Sequence, residues 1–439
     1  MKKIAYTILL YSTFILFIIE DVMSIGVPRD MRGRFYIFFN IPSRDAVLIL
    51  VLFILFWNCR RILSLIDEKK IFMFILLTFI FIVQGLLING LDAIPLIRAD
   101  LRVLLWFLGG ISFGFILIRS GNVKANLQIV VVITTVLMIL GALYAIELEA
   151  VVGRGILDSY KISDETIFIF GGFLLTPLII LFNIENNKLK NQIVPLVCIF
   201  SFLFCGFYLT NTRSAGLMGL IILIVYTLSR GFNIERMYIM SFNIKRVIFY
   251  TLILCGMGIF LFSLLLSVTP RLERLLDISP ESIRKEPRYM ELSDFFEQSL
   301  ENESIIMGQG LGGTIKSSIY MSDPTVTMHF DPTVTMHVGI FNIWMKMGMI
   351  PFIVLTIFLF IRIPSLYIKT IINGAALPIA KRTANLIVIP SILPWLVGLA
   401  TSGGFAEVNF LFAGFAYLIY GEISNNGLRN ILMQKNYNF

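Results

Sequence analysis

Two arginines and a histidine stand out in a chain otherwise poor in reactive groups: Arg213 in "YLTNTRSAGLMGL", Arg288 in "EPRYMELSDFFEQS" and His337 in "TMHVGIFNIW". Arg213 opens an apolar run, where Asn211 or Thr212 is placed to cap a helix. Ser214, Ala215, Gly216 and Gly219 behind it allow close packing. A cation in the first turn faces the positive end of the helix dipole, which is unfavourable. The conflict disappears if an anion binds there, because backbone N–H groups and the guanidinium then converge on it. The competing reading is an interfacial arginine reaching lipid headgroups. Both remain open at this level. Pro287 suits the first position of a helix, so Arg288 repeats the conflict, against the simpler reading of a solvated charge in a polar loop.

The only two histidines close two exact copies of the heptapeptide DPTVTMH, at 323–329 and 331–337. A short tandem copy in a loop reads as a tolerated insertion, too short and isolated to be a repeat architecture. Taken alone, a histidine at a membrane boundary is more often a polar cap than a catalyst. No carboxylate pair or metal-ligand spacing accompanies these residues. "GQGLGG" (308–313) lacks the GK[ST] ending of a nucleotide-binding loop. Cys59, Cys198, Cys205 and Cys255 sit in or beside apolar runs, and none lies in the one long polar loop, so no disulfide framework is expected.

These residues are carried by a membrane protein. Hydrophobic residues make up 57% of the 439 and charged residues only 15%, against about a quarter charged in soluble domains. Apolar runs of spanning length are centred on 4–19, 46–57, 71–87, 101–118, 127–146, 167–182, 193–209, 216–228, 247–266, 338–360, 384–400 and 410–420. The expected fold is an all-α polytopic membrane protein of about 12 transmembrane helices. With the N-terminus inside, more than half of the Lys and Arg fall on the inner side. Only Asp67, Glu68, Glu185, Glu235 and Glu422 accompany them there among the acids. The net charge of +8 therefore reflects topology rather than nucleic-acid binding. The chain divides into membrane helices 1–9 (1–267), one large outer loop (268–337) and membrane helices 10–12 (338–439). In the loop, the apolar residues after Pro287 (Leu292, Phe295, Phe296, Leu300) follow helical spacing. They predict a short helix lying apolar face down on the membrane.

Three outer-face features, two guanidinium groups and an imidazole, suit an anionic lipid-linked substrate. Their order and topology resemble the O-antigen polymerase and O-antigen ligase superfamily of bacterial inner-membrane glycosyltransferases. "TNTRSAGLMGL" is similar to the family's segment around a span-opening arginine, at Arg213. "EPRYMELSDFFEQS" with "IIMGQGLGG" is similar to its loop arginine, helix and Gly-x-Gly sequence, which assigns Arg288, Gly308 and Gly310. The family's histidine precedes a glycine by eleven residues, a spacing that His337 and Gly348 keep and His329 does not. Departures occur at Val338, where the family often has Asn, and at Lys346-Met347-Gly348, where it often has Glu-x-Gly. Lys346 in a span must contact a phosphate, snorkel or pair, for which Glu407 is an available acid.

The resemblance covers residues 209–350. It implies a periplasm-facing active site in the inner membrane. There a glycan chain moves from undecaprenyl diphosphate to a lipid-linked repeat unit by inverting, metal-independent transfer. His337 would be the catalytic residue, taking the acceptor hydroxyl proton as base or orienting that hydroxyl; Arg213 and Arg288 would bind the diphosphate, and Gly308 and Gly310 would support the turn. No cofactor and no metal are implied. The partners would be donor and acceptor glycolipids and the bilayer, with a chain-length regulator protein as a further candidate and no nucleic acid. A ligase acting on lipid A-core, or a lipid-linked oligosaccharide flippase, are the alternatives.

Overall fold

The computed structural model describes residues 2–23, 42–65, 67–152, 221–228, 232–235, 239–242, 287–316, 333–334, 339–373, 377–401 and 407–426, with isolated positions between 197 and 256. The architecture is helical. Helices α1 (Lys2–Met23), α2 (Ser43–Trp57), α4 (Glu68–Asn89), α5 (Ile94–Arg119) and α6 (Val123–Val152) occupy the first five apolar segments, with the short α3 (Cys59–Leu63) between the second and third. Helix α7 (Pro287–Glu301) lies in the long loop. The tenth segment is α8 (Gly339–Met347), α9 (Met349–Thr356), a π-helical stretch (Ile357–Arg362) and α10 (Ile363–Asn373). Helices α11 (Ile379–Thr401) and α12 (Glu407–Asn426) are the eleventh and twelfth. Segments 167–182, 193–209 and 247–266 lie wholly or largely outside the described residues, and 216–228 is described only over 221–228. A 3-10 turn (Leu91–Ala93) leads into α5, and two small antiparallel pairs complete the described elements: β1 (Phe232–Glu235) with β2 (Ile239–Phe242), and β3 (Ile315–Lys316) with β4 (Thr333–Val334).

Three helices are long and apolar enough to cross a membrane among the described residues: Glu68–Asn89, Leu91–Arg119 and Met349–Ile372. Their roles differ. Only 11% of the α4 span is buried, against 72% of the α5 span, so α4 presents apolar side chains outward while α5 is the central post. Exposed Phe72, Phe79, Ile80 and Leu87 on α4 are what a lipid-facing helix requires, because acyl chains solvate them as well as protein would.

The α5 post is set by small residues. A Cβ added at Gly110 would meet the backbone of Leu411 and Phe415, and one at Gly414 would meet the backbone of Phe107 and Ile111. Gly110 and Gly114 form a G-x-x-x-G pair facing α12, and Gly114 packs on Leu418 and Phe415. With no hydrophobic driving force between helices in lipid, such close backbone approach supplies the dispersion contacts that hold them together. Buried polar groups tie further elements. Tyr11 donates to Asn126 (2.7 Å), which donates to Ser120 (2.5 Å). Tyr420 donates to Asn385 (3.0 Å), which donates to Thr370 (2.9 Å).

Helix α7 begins at Pro287 as its sequence predicts, but it does not lie apolar face down on the membrane. Glu291, Phe295 and Ser299 form its buried stripe, while Leu300 is exposed. Phe295 and Phe296 instead meet Trp344 of α8 edge-on, at ring-centroid distances of 5.8 and 5.4 Å, an arrangement favoured by the ring quadrupoles. Phe341 joins the same cluster, and Trp344 stacks on Phe352 of α9 at 4.7 Å. An amphipathic stripe fits a lipid surface or a helix equally well; here α8 supplies the apolar partner.

Candidate functional site

The break between α8 and α9 organises the region where the sequence-derived site residues meet the described fold. Gly348 has φ 89°, a left-handed conformation that costs little only for glycine. A helix that stops leaves its last carbonyls without intrahelical partners. Here the glycine-rich loop supplies donors: Gln309 N–H bonds the Met345 carbonyl (2.7 Å) and Gly310 N–H bonds the Lys346 carbonyl (2.9 Å). In return, Met349 N–H bonds the Ile306 carbonyl (2.9 Å), and the Trp344 indole N–H donates to the Ile305 carbonyl (2.6 Å).

The same loop inserts against α4. Leu311 N–H donates to the Phe81 carbonyl (3.0 Å), next to Gly85. A Cβ on Gly310 would overlap the Gly85 backbone, and one on Gly85 would overlap that of Leu311. Two α4 amides complete the fit. Gln84 donates to the Met307 carbonyl (2.7 Å), and Asn89 donates to the Gln309 carbonyl (2.8 Å). Gly308 and Gly310, assigned to turn support, have φ of 73° and 77°, so both perform a backbone role that no side-chain residue would fill without strain.

Lys346 is fully buried. Its ammonium lies 2.5 Å from Asp100 Oδ2 and also donates to the Gly313 carbonyl (3.2 Å). The same Asp100 oxygen accepts the Gly312 N–H (2.7 Å). Burial rules out both expectations that kept Lys346 at a surface, snorkelling to headgroups and contacting a substrate phosphate. A carboxylate partner is Asp100, immediately before the fourth apolar run; the side chain of Glu407, the acid the sequence suggested, lies outside the described residues. A buried charge must be paired, and this pair welds α5, α8 and the loop into one body.

The loop then leads back to α7. Gln298 pairs with the Lys316 backbone through both amide atoms, accepting its N–H (2.9 Å) and donating to its carbonyl (2.6 Å). Beside it, β3 pairs with β4 in the register Ile315↔Val334 and Lys316↔Thr333. Thr333 and Val334 belong to the second copy of the repeat, so that copy is hydrogen-bonded to the strand that follows the glycine loop. Arg288 is the second residue of α7; its side chain lies outside the described residues, as do Arg213, His337 and His329. Among the described residues, no group of three or more His, Cys, Asp or Glu stands together to hold a metal.

Sequence reasoning missed Asp100, Gln84, Gly85 and Asn89. One signal was available: "QGLLING" puts two amides and a glycine on one face of a helix that is otherwise apolar. Compared with known proteins, the chain matches no family model and no curated protein.

Proposed function

We propose that the chain is a glycosyltransferase of the bacterial inner membrane that polymerises O-antigen repeat units on undecaprenyl diphosphate at the periplasmic face. The observation that carries the reading is the docking of α7 on α8: the helix with Arg288 in its first turn packs through Phe295 and Phe296 on the helix that His337 precedes by two residues. The pairing of Thr333 and Val334 with β3 ties the copy that ends in His337 to the strand after the glycine loop, and the spacing of His337 to Gly348 selects it over His329.

In this reading the acceptor hydroxyl attacks the donor's anomeric carbon. The bond to the diphosphate oxygen breaks with inversion, and the hydroxyl proton passes to His337. Arg213 and Arg288 bind the diphosphate and stabilise the charge that develops as it leaves. A well-placed donor of that kind lowers the barrier by about 3–4 kcal/mol.

One observation favours a second reading, a flippase for the same lipid-linked glycan. A buried Lys–Asp pair beside a helix broken inside a span is the kind of feature transporters place at membrane depth. Against it, two of the carbonyls freed at the break are occupied by Gln309 and Gly310 N–H groups and so are already satisfied by protein.

The deciding experiment supplies the purified full chain with undecaprenyl-diphosphate-linked repeat units, without lipid A-core or nucleotide. A ladder of lengthening lipid-linked chains is expected. Transfer only after lipid A-core is added makes it a ligase. No transfer, with movement of the glycolipid across vesicle membranes, makes it a transporter.

A further inference from the structure

By sequence, residues 304–313 belong to the middle of the long polar loop. Three observations place them elsewhere. The first is composition: "SIIMGQGLGGTI", from Ser304 to Ile315, carries no charged residue, whereas Glu301 and Glu303 stand immediately before it and Lys316 immediately after.

The second is depth along α4. Phe81, whose carbonyl receives the Leu311 N–H, lies eight residues from Asn89 at the end of that helix. At about 1.5 Å per residue this is roughly 12 Å along the axis, within a hydrocarbon layer about 30 Å thick.

The third is the backbone accounting at the core of the segment. Every N–H from Gly308 to Gly313 has a protein acceptor: in order, the carbonyls of Ser304, Met345, Lys346 and Phe81, the Asp100 carboxylate and the Gly310 carbonyl. Every carbonyl from Ser304 to Gly310 has a protein donor, the last being Gly313 N–H. A loop in water has no need of this, since water satisfies such groups. Irregular backbone at membrane depth exists only where protein satisfies it.

We propose that residues 304–313 form a re-entrant segment seated within the bilayer, where the exposed side chains of Ile306 and Met307 face lipid acyl chains. Met307 is 68% and Ile306 53% exposed. Both are apolar, and they adjoin the outward face of α4 formed by Ile80, Val83, Leu87 and Ile88, all exposed. Gln84 sits in the middle of that face. Its amide would be stranded in hydrocarbon, but it donates to the Met307 and Gly308 carbonyls, so helix and loop remove each other's polar groups from lipid. The long loop is thereby divided: α7 precedes the buried segment and β3 follows it.

Spin labels at Met307→Cys and at Glu301→Cys, each in the full chain with Cys59, Cys198, Cys205 and Cys255 replaced, test this in phosphatidylethanolamine–phosphatidylglycerol vesicles. Relaxation by dissolved oxygen, which partitions into the bilayer, is compared with relaxation by a water-soluble nickel chelate present on both sides. The expected result is oxygen exceeding the chelate several-fold at position 307 and the reverse at position 301. Chelate dominance at both positions would mean that the segment lines a water-filled vestibule, and the proposal fails. A second measurement needs no substitution: the unmodified chain is photolysed in vesicles whose lipids carry a diazirine at the acyl-chain end. Adducts on the peptide containing Ile306 and Met307 are expected, and their absence, with α4 peptides modified, overturns the proposal.

Discussion

Lys346 and Asp100, 246 residues apart in the chain, meet in the interior with Nζ 2.5 Å from Oδ2, and both are almost completely withdrawn from solvent. The carboxylate also holds the Gly312 N–H and the ammonium the Gly313 carbonyl, so the pair serves as the fastening of the glycine loop. Removing one partner of such a pair leaves a buried charge, at a cost of about 3–5 kcal/mol. Asp100→Ala and Lys346→Met should each lower the thermal melting temperature of the detergent-purified chain markedly. The Asp100→Ala/Lys346→Met double variant should lose less than the sum of the two. Additive losses would show that the groups are not coupled.

Gly310 and Gly90 share a left-handed backbone, with φ of 77° and 71°, but not a setting. Around Gly90 an added Cβ meets nothing, whereas at Gly310 it runs into the Gly85 backbone. Gly90→Ala should cost only the conformational penalty of about 1–3 kcal/mol. Gly310→Ala should add a packing penalty of about 1–3 kcal/mol. Comparing the two melting temperatures isolates the steric part, and equal losses would mean that the loop can withdraw from α4.

Gln84→Leu should be destabilising although it makes α4 more apolar. It leaves the Met307 and Gly308 carbonyls without their donor, a desolvation cost of about 1–3 kcal/mol. Phe79→Leu, at an exposed position of the same helix, should be nearly silent. If Gln84→Leu matches Phe79→Leu in melting temperature, water reaches those carbonyls.

For the proposed transferase, lysine should not replace arginine at a diphosphate, because it cannot reproduce a two-pronged contact. Arg213→Lys and Arg288→Lys should each reduce polymer formation by about 10²–10³-fold with the protein still folded and inserted. Near-normal polymer from either would remove that residue from the diphosphate site.

The duplicated heptapeptide offers an internal control. His337→Ala should abolish polymer, while His329→Ala should leave it intact, each measured by the ladder of lipid-linked chains. The opposite pattern would assign the chemistry to the first copy.

Some of this architecture is written locally and is legible as such. Apolar runs of spanning length must become helices, since lipid satisfies no backbone group; α4, α5 and α9 onward follow directly. Pro287 begins α7, and Gly308 and Gly310 adopt the left-handed turns their residue type suggests, because a cap or a positive φ depends only on neighbouring residues. What residues face is another matter. Helical spacing marks Phe295 and Phe296 as apolar-face residues of α7 without saying whether lipid or Trp344 covers them. Lys346 must be paired, but every acid near the same membrane depth is an equal candidate until helix packing selects one. Close backbone approach at Gly110 and Gly414 sets α5 against α12, and the loop that inserts Leu311 at Gly85 brings Gly312 against Ala93 and Ile97 at the start of α5. The loop, bonded at once to the end of α8 and to Asp100, brings Asp100 to Lys346. Residue type establishes that a buried charge needs a partner; only the relative placement of three helices and a loop determines which partner it is.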